Sequence, residues 1–250
     1  MSVREKLDGF GLVGERRALA VLVFCFYFVL YLLVAIADQS GWGRAFGGLA
    51  ATYGLAAFSL VAGWFWARWY ASGIAWSGVM MGILAMVMGG WNGIFAFFLG
   101  THALCVLCLM GRRMAETYDL KTAWREKFQL DEQGIIRVRR AVTRAAMALP
   151  SLVLWALAPR SDAATWAVTV AGALGLIGLI RMRSFGPLLL GAGSVGAALA
   201  WLGSTTCGPT LSVAGASLRP TAWLGLVAAA VLFAAFLPFA RPIARYLRRR

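Results

Sequence analysis

Long apolar runs alternate with short polar breaks along the whole chain, and the runs are all of one length class. Eight stretches of about twenty residues are nearly free of charge: 18–37, 45–67, 72–89, 93–110, 142–158, 164–180, 186–203 and 221–240. A helix rises about 1.5 Å per residue, so each run can cross a hydrocarbon layer of roughly 30 Å. The strand-like alternation that builds a membrane β-barrel does not occur in the chain. The expected fold is an all-α integral membrane protein of about eight transmembrane helices. The first run contains an Ala35-x-Ala37 pattern, but it is too long for the apolar segment of a signal peptide and reads as an uncleaved first helix.

The breaks are short except for 111–140, which divides the chain into a first four-helix half (1–110), a connector (111–140) and a second four-helix half with a basic tail (141–250). Within the connector, Leu120, Trp124 and Phe128 recur at i, i+4, i+8 with charges between them, the pattern of an amphipathic helix lying at a membrane surface or docking a partner. The halves resemble each other. Arg17 precedes Asp38 by 21 residues and Arg140 precedes Asp162 by 22. The second run of each half ends near an arginine, Arg68 and Arg181. The third runs carry small residues at close spacing: Gly78, Gly82, Ala85 and Gly89 in one, and Ala192, Gly196, Ala200 and Gly203 in the other. Small residues at such spacing let helix backbones approach, so Gly78, Gly82, Gly89 and Gly196 are candidate helix-packing positions. Four runs per half make a parallel 4+4 duplication.

Composition agrees with the pattern: 61% of the 250 residues are hydrophobic and 14% charged, where a soluble domain is about a quarter charged. Charge adds an orientation. With the N-terminus inside, 21 of the 24 Lys and Arg residues face the cytoplasm, and only Arg44, Arg160 and Arg219 face out. That bias places both termini in the cytoplasm. It also accounts for the net charge of +14 through topology and anionic lipid headgroups, leaving no role for nucleic acid. The tail residues Arg248, Arg249 and Arg250 are candidate contacts to headgroups or to cytoplasmic partners. Trp42, Trp64, Trp66, Trp69, Trp91, Trp201 and Trp223 fall near run ends and read as an interfacial belt.

All ten acidic residues lie outside the middle of the runs. Proton relays and cation carriers usually hold an intramembrane carboxylate, and Mg²⁺-dependent enzymes of phosphorylated lipids need acidic ligands. A single histidine rules out bis-histidine haem ligation, and no GxGxxG, Walker or HExxH motif is present. No residue is assigned a catalytic role, and no cofactor is expected beyond a soft metal ion. Polar groups within the runs are sparse, and Pro150, Pro187 and Pro238 interrupt or begin runs.

The stretch "GTHALCVLCLMGRR" holds that histidine and two of the four cysteines at three-residue spacing, His102, Cys105 and Cys108. On a helix the three fall on neighbouring faces, Cys108 near the inner interface and His102 near mid-membrane. Thiolate and imidazole suit soft metals, and a C-x-x-C pair suits thiol–disulfide cycling; packing of small apolar cysteines, with the histidine bonded to a neighbouring carbonyl, is the reading the stretch favours. The tetrapeptide "CVLC" resembles the redox motif of the membrane quinone-linked disulfide-forming enzymes and the vitamin K epoxide reductase family. In those families the motif faces the outer compartment near a helix start, with a second cysteine pair in an outer loop. Here it lies at a helix end on the cytoplasmic side and the outer loop has Cys207 alone, so that function is not carried over.

Three functions fit these features. The first is a small inner-membrane permease or channel-like protein for an apolar, neutral or anionic solute. The second is a non-catalytic membrane subunit or scaffold with other membrane or cytoplasmic subunits as partners. The third is a thiol-redox or soft-metal protein using His102, Cys105 and Cys108.

Overall fold

The computed structural model describes residues 12–119, 132–159, 161–203, 211–213, 216–218 and 221–248. Its helices follow the apolar runs: α1 (Val13–Ala37), α2 (Gly43–Ala62), α3 (Ala67–Gly89), α4 (Gly93–Leu109), α5 (Arg112–Asp119), α6 (Glu132–Ala156), α7 (Ala163–Ile180), α8 (Phe185–Gly203) and α9 (Thr221–Arg248). Between α8 and α9, β1 (Leu211–Val213) and β2 (Ala216–Leu218) pair antiparallel, Ser212 opposite Ser217. Among the described residues six helices are long and apolar enough to cross a membrane alone. The bent pair α4 and Arg112–Tyr118, which meet at 75°, makes a seventh if it is one span. Large apolar side chains point away from the protein along these helices, Leu22 at 65% exposure and Ile36 at 76%. Water would not tolerate that surface, whereas lipid does. The chain is a multi-pass α-helical membrane protein.

Helix α6 differs from its expected run. It begins at Glu132, ten residues before the apolar stretch, inside what the sequence pattern reads as connector. The reason is a buried face: Ile135, Val138, Ala141 and Val142 recur at helical spacing and pack into the core, while Arg137 and Arg140 stay exposed. The docking positions Leu120, Trp124 and Phe128 lie outside the described residues, as do Arg249 and Arg250. Of Arg248, the last residue of α9, only the backbone is described.

In the first group α1 packs on α2, α2 on α3, α3 on α4 and α4 back on α1; α6, α7, α8 and α9 close in the same cyclic order. The two groups meet where α6 packs on α3 and α2. Gly73 sits at that seam, where a Cβ would overlap the carbonyl oxygen of Thr143 and lie 2.7 Å from Ala146 Cβ. Gly48 has the same role on α2, since a Cβ there would lie 2.5 Å from Val153 Cγ1. Missing side chains at these points let α6 approach closely.

Local chemistry fixes the helix ends. Asp38 accepts from the backbone N–H of Gly43 at 2.8 Å, ahead of α2, and Asp162 accepts from Thr165 N–H at 2.8 Å, at the start of α7. Each carboxylate therefore meets donors that the first turn of a helix leaves unpaired. Asn92 does the same for α4 through Ile94 N–H at 2.9 Å. Helix α2 stops at Gly63, whose φ of +66° opens the left-handed conformation that lets Trp64 N–H reach back to Ser59 O at 3.2 Å. Helix α7 stops alike, with Met182 at φ +53° and Arg183 N–H on Gly178 O at 2.8 Å.

Candidate functional site

At the centre of the first group, His102 on α4 is fully buried. Its Nδ1 lies 2.7 Å from Phe98 O, one turn earlier, and its Nε2 lies 2.7 Å from the Tyr53 hydroxyl of α2. A carbonyl only accepts, so Nδ1 carries the proton, Nε2 accepts, and Tyr53 O–H donates. The ring is enclosed by Tyr27 at 4.5 Å and Phe98 at 4.2 Å between centroids. Tyr27 in turn donates to Thr101 Oγ1 at 2.6 Å, since the Thr101 hydroxyl is spent on the carbonyls of Phe97 and Phe98. The network satisfies its own polar groups, the condition for keeping them in an apolar interior.

Both imidazole nitrogens are thus engaged. Cys105 and Cys108 are buried free thiols on the same helix, and Cys25 is a free thiol on the exposed side of α1. Among the described residues no three His, Cys, Asp or Glu side chains converge closely enough to hold a metal ion. Cys207 lies outside the described residues.

The glycines take different places. Gly78 faces His102 so closely that a Cβ would overlap the imidazole. At Gly82 a Cβ would lie 3.0 Å from Leu99 Cβ and 3.2 Å from its Cα, a backbone-level approach of α3 and α4. At Gly196 it would lie 3.1 Å from Val168 Cγ2 of α7. Gly89 is exposed at the end of α3. Gly73, which the small-residue spacing did not single out, brings α3 to backbone-level approach with α6, the carbonyl of Thr143 lying where its Cβ would be.

At one end of the molecule, arginines meet helix carbonyls. Arg16 donates to Leu107 O at 3.0 Å and to Met110 O, Arg17 to Val61 O at 2.8 Å, and Arg68 to Leu109 O at 3.4 Å. These carbonyls carry the partial negative charge of the C-terminal ends of α2 and α4. Tyr118 of α5 joins them by donating to Leu60 O at 3.1 Å.

At this end a cleft of about 620 Å³ opens between the groups. One wall is aromatic: Trp64, Phe65 and Trp66 from the turn that Gly63 permits, and Tyr70 from the first turn of α3. The Trp64 and Trp66 rings stand 5.1 Å apart, and Trp66 meets Tyr70 edge to face at 5.7 Å. The Tyr70 hydroxyl is committed to Thr52 O at 3.2 Å. Leu176, Ile177 and Ile180 of α7 form the facing wall, and Arg181 stands just past them. The cleft's volume, its apolar lining and, among the described residues, one charged group are the features of a small-molecule site. The belt of tryptophans is therefore not uniform: Trp64 and Trp66 line the cleft, Trp42 and Trp69 are buried at 1% exposure, and Trp91 is exposed at 84%. No family model, curated protein or solved structure matches this chain.

Proposed function

We propose that this chain is a small permease for an apolar, neutral or anionic solute, with the cleft between the two four-helix groups as its solute-binding region. The observation that carries the proposal is the cleft itself, built by both groups and lined by no acidic side chain among the described residues. A site shared between two packed bodies is accessible to either side when one rocks against the other, which is how carriers made of parallel repeats work. The alternative path, through the middle of the first group, is filled by the Tyr27–Tyr53–His102 network.

The repeat is itself part of the proposal. The cyclic order of contacts, the Asp38 and Asp162 caps and the matching turns at Gly63 and Met182 support a parallel 4+4 duplication. Eight spans are counted by taking α4 with its bend, and the apolar half of α6, as one crossing each. The arginine-rich end then faces the cytoplasm, with both termini, in a cell inner membrane. No catalytic residue is assigned.

Native mass spectrometry of the protein, gently extracted from its own membrane, tests the proposal. A monomer or homodimer that retains a small ligand supports it. A stable complex with other polypeptides and no small ligand overturns it in favour of a non-catalytic membrane subunit.

A further inference from the structure

The cleft has a chemistry more specific than "apolar", and it rests on the same site as the permease proposal. We infer that its occupant is an acidic phospholipid, with an acyl chain along the aromatic wall and the phosphate on Arg181.

Three observations lead there. The cleft opens sideways, because Leu55, Trp64 and Ile177 line it and are 40%, 39% and 45% exposed on helices whose outer faces are apolar. Such an opening on a membrane helix admits a molecule from the bilayer. Second, Arg181 is exposed at the C-terminal cap of α7, and its guanidinium makes no hydrogen bond or ion pair with any described residue. Its neighbours at this end, Arg16, Arg17 and Arg68, are spent on helix carbonyls. A guanidinium presents a planar fork of donors that matches phosphate oxygens. Third, among the described residues the lining contains no carboxylate, and its one hydroxyl, that of Tyr70, donates to Thr52 O. An ammonium headgroup therefore finds no side-chain anion, whereas a net negative headgroup finds a cation. Trp64 and Trp66 suit the same depth, with an apolar ring and a donor N–H at the headgroup boundary.

The test uses delipidated full-length protein titrated with phosphatidylglycerol and with phosphatidylcholine of identical acyl chains, bound lipid being counted by native mass spectrometry. The wild type is expected to retain phosphatidylglycerol preferentially. Arg181→Gln is expected to lower retention of phosphatidylglycerol roughly tenfold, and that of phosphatidylcholine by less, because its phosphate shares the contact but its ammonium cancels the headgroup charge. Arg183→Gln, two residues on and outside the cleft, is expected to change nothing. Ala173→Trp, which fills the cleft, is expected to lower retention of both lipids. Equal retention of the two lipids by the wild type, or equal effects of Arg181→Gln and Arg183→Gln, would overturn the inference. Transfer of a labelled phosphatidylglycerol between vesicle leaflets is read separately. Binding at Arg181 without transfer removes the permease proposal and leaves the lipid site, whereas loss of the lipid site leaves a permease for another solute.

Discussion

The guanidinium of Arg144, on α6, donates to the backbone carbonyl of Ala234, on α9, at 2.6 Å. Ala234 stands four residues before Pro238, which has no N–H to give that carbonyl its helical hydrogen bond. The arginine supplies the donor that the proline removes, and so ties two neighbouring helices at a break in one of them. Arg144→Ala is expected to destabilise the protein by about 1 kcal/mol, the cost of leaving a part-buried carbonyl without its donor. Pro238→Ala restores the helical donor, so Arg144→Ala is expected to cost clearly less in that background. A double-mutant cycle on thermal unfolding in detergent checks the coupling.

The second coupling is between α3 and α4. Gly78→Ala is expected to destabilise by about 1–3 kcal/mol because its Cβ has no room beside the His102 ring. In a His102→Ala background the same change is expected to be nearly neutral. Tyr53→Phe is expected to cost about 1–3 kcal/mol by leaving Nε2 without a donor. Unfolding midpoints of the four variants decide the matter.

Two buried hydroxyls have the opposite expectation. Ser77 on α3 and Ser151 on α6 are buried, and their oxygens have no hydrogen-bond partner among the described residues. Replacing either by alanine removes an unsatisfied polar atom and leaves little space behind. Ser77→Ala and Ser151→Ala are expected to be neutral or to stabilise by up to about 1 kcal/mol, measured as the rise in unfolding midpoint.

The Asp38 cap sets a pH dependence. The Ser40 hydroxyl at 2.5 Å, with the backbone N–H of Gly43, holds its carboxyl below the ordinary aspartate range. A depressed folded-state pKa stabilises the protein above the unfolded value of about 3.9 and loses that contribution as pH falls through the folded value. Wild type is expected to be more stable than Asp38→Asn at neutral pH, and the gap is expected to close as pH drops below about 4. Thermal midpoints across this range measure it, and a gap independent of pH would contradict the assignment.

Much of the helical frame was legible because a membrane imposes one length and one composition on each span; α4, α7 and α8 begin and end close to their apolar runs, whereas the run 45–67 overran the turn at Gly63 into α3. The start of α6 was not, since Ile135 and Val138 lie among arginines and their burial depends on neighbours no local pattern names. Gly78 was legible as a small residue at a close approach, but an imidazole as the object it approaches was not. His102 stood out as the single histidine; its partner Tyr53, 49 residues earlier, could not be found from spacing within one helix. The cleft was least legible, because its walls come from segments more than a hundred residues apart and only tertiary packing joins Trp64 to Ile180.

The central claim is that a solute is held between the two groups at the arginine-rich end. Electron cryo-microscopy of the protein in nanodiscs containing phosphatidylglycerol tests it most directly. The account predicts elongated density between the Trp64–Tyr70 wall and α7, with its phosphate beside Arg181. Direct contact of the Trp64–Tyr70 wall with α7 and no density between them would contradict it.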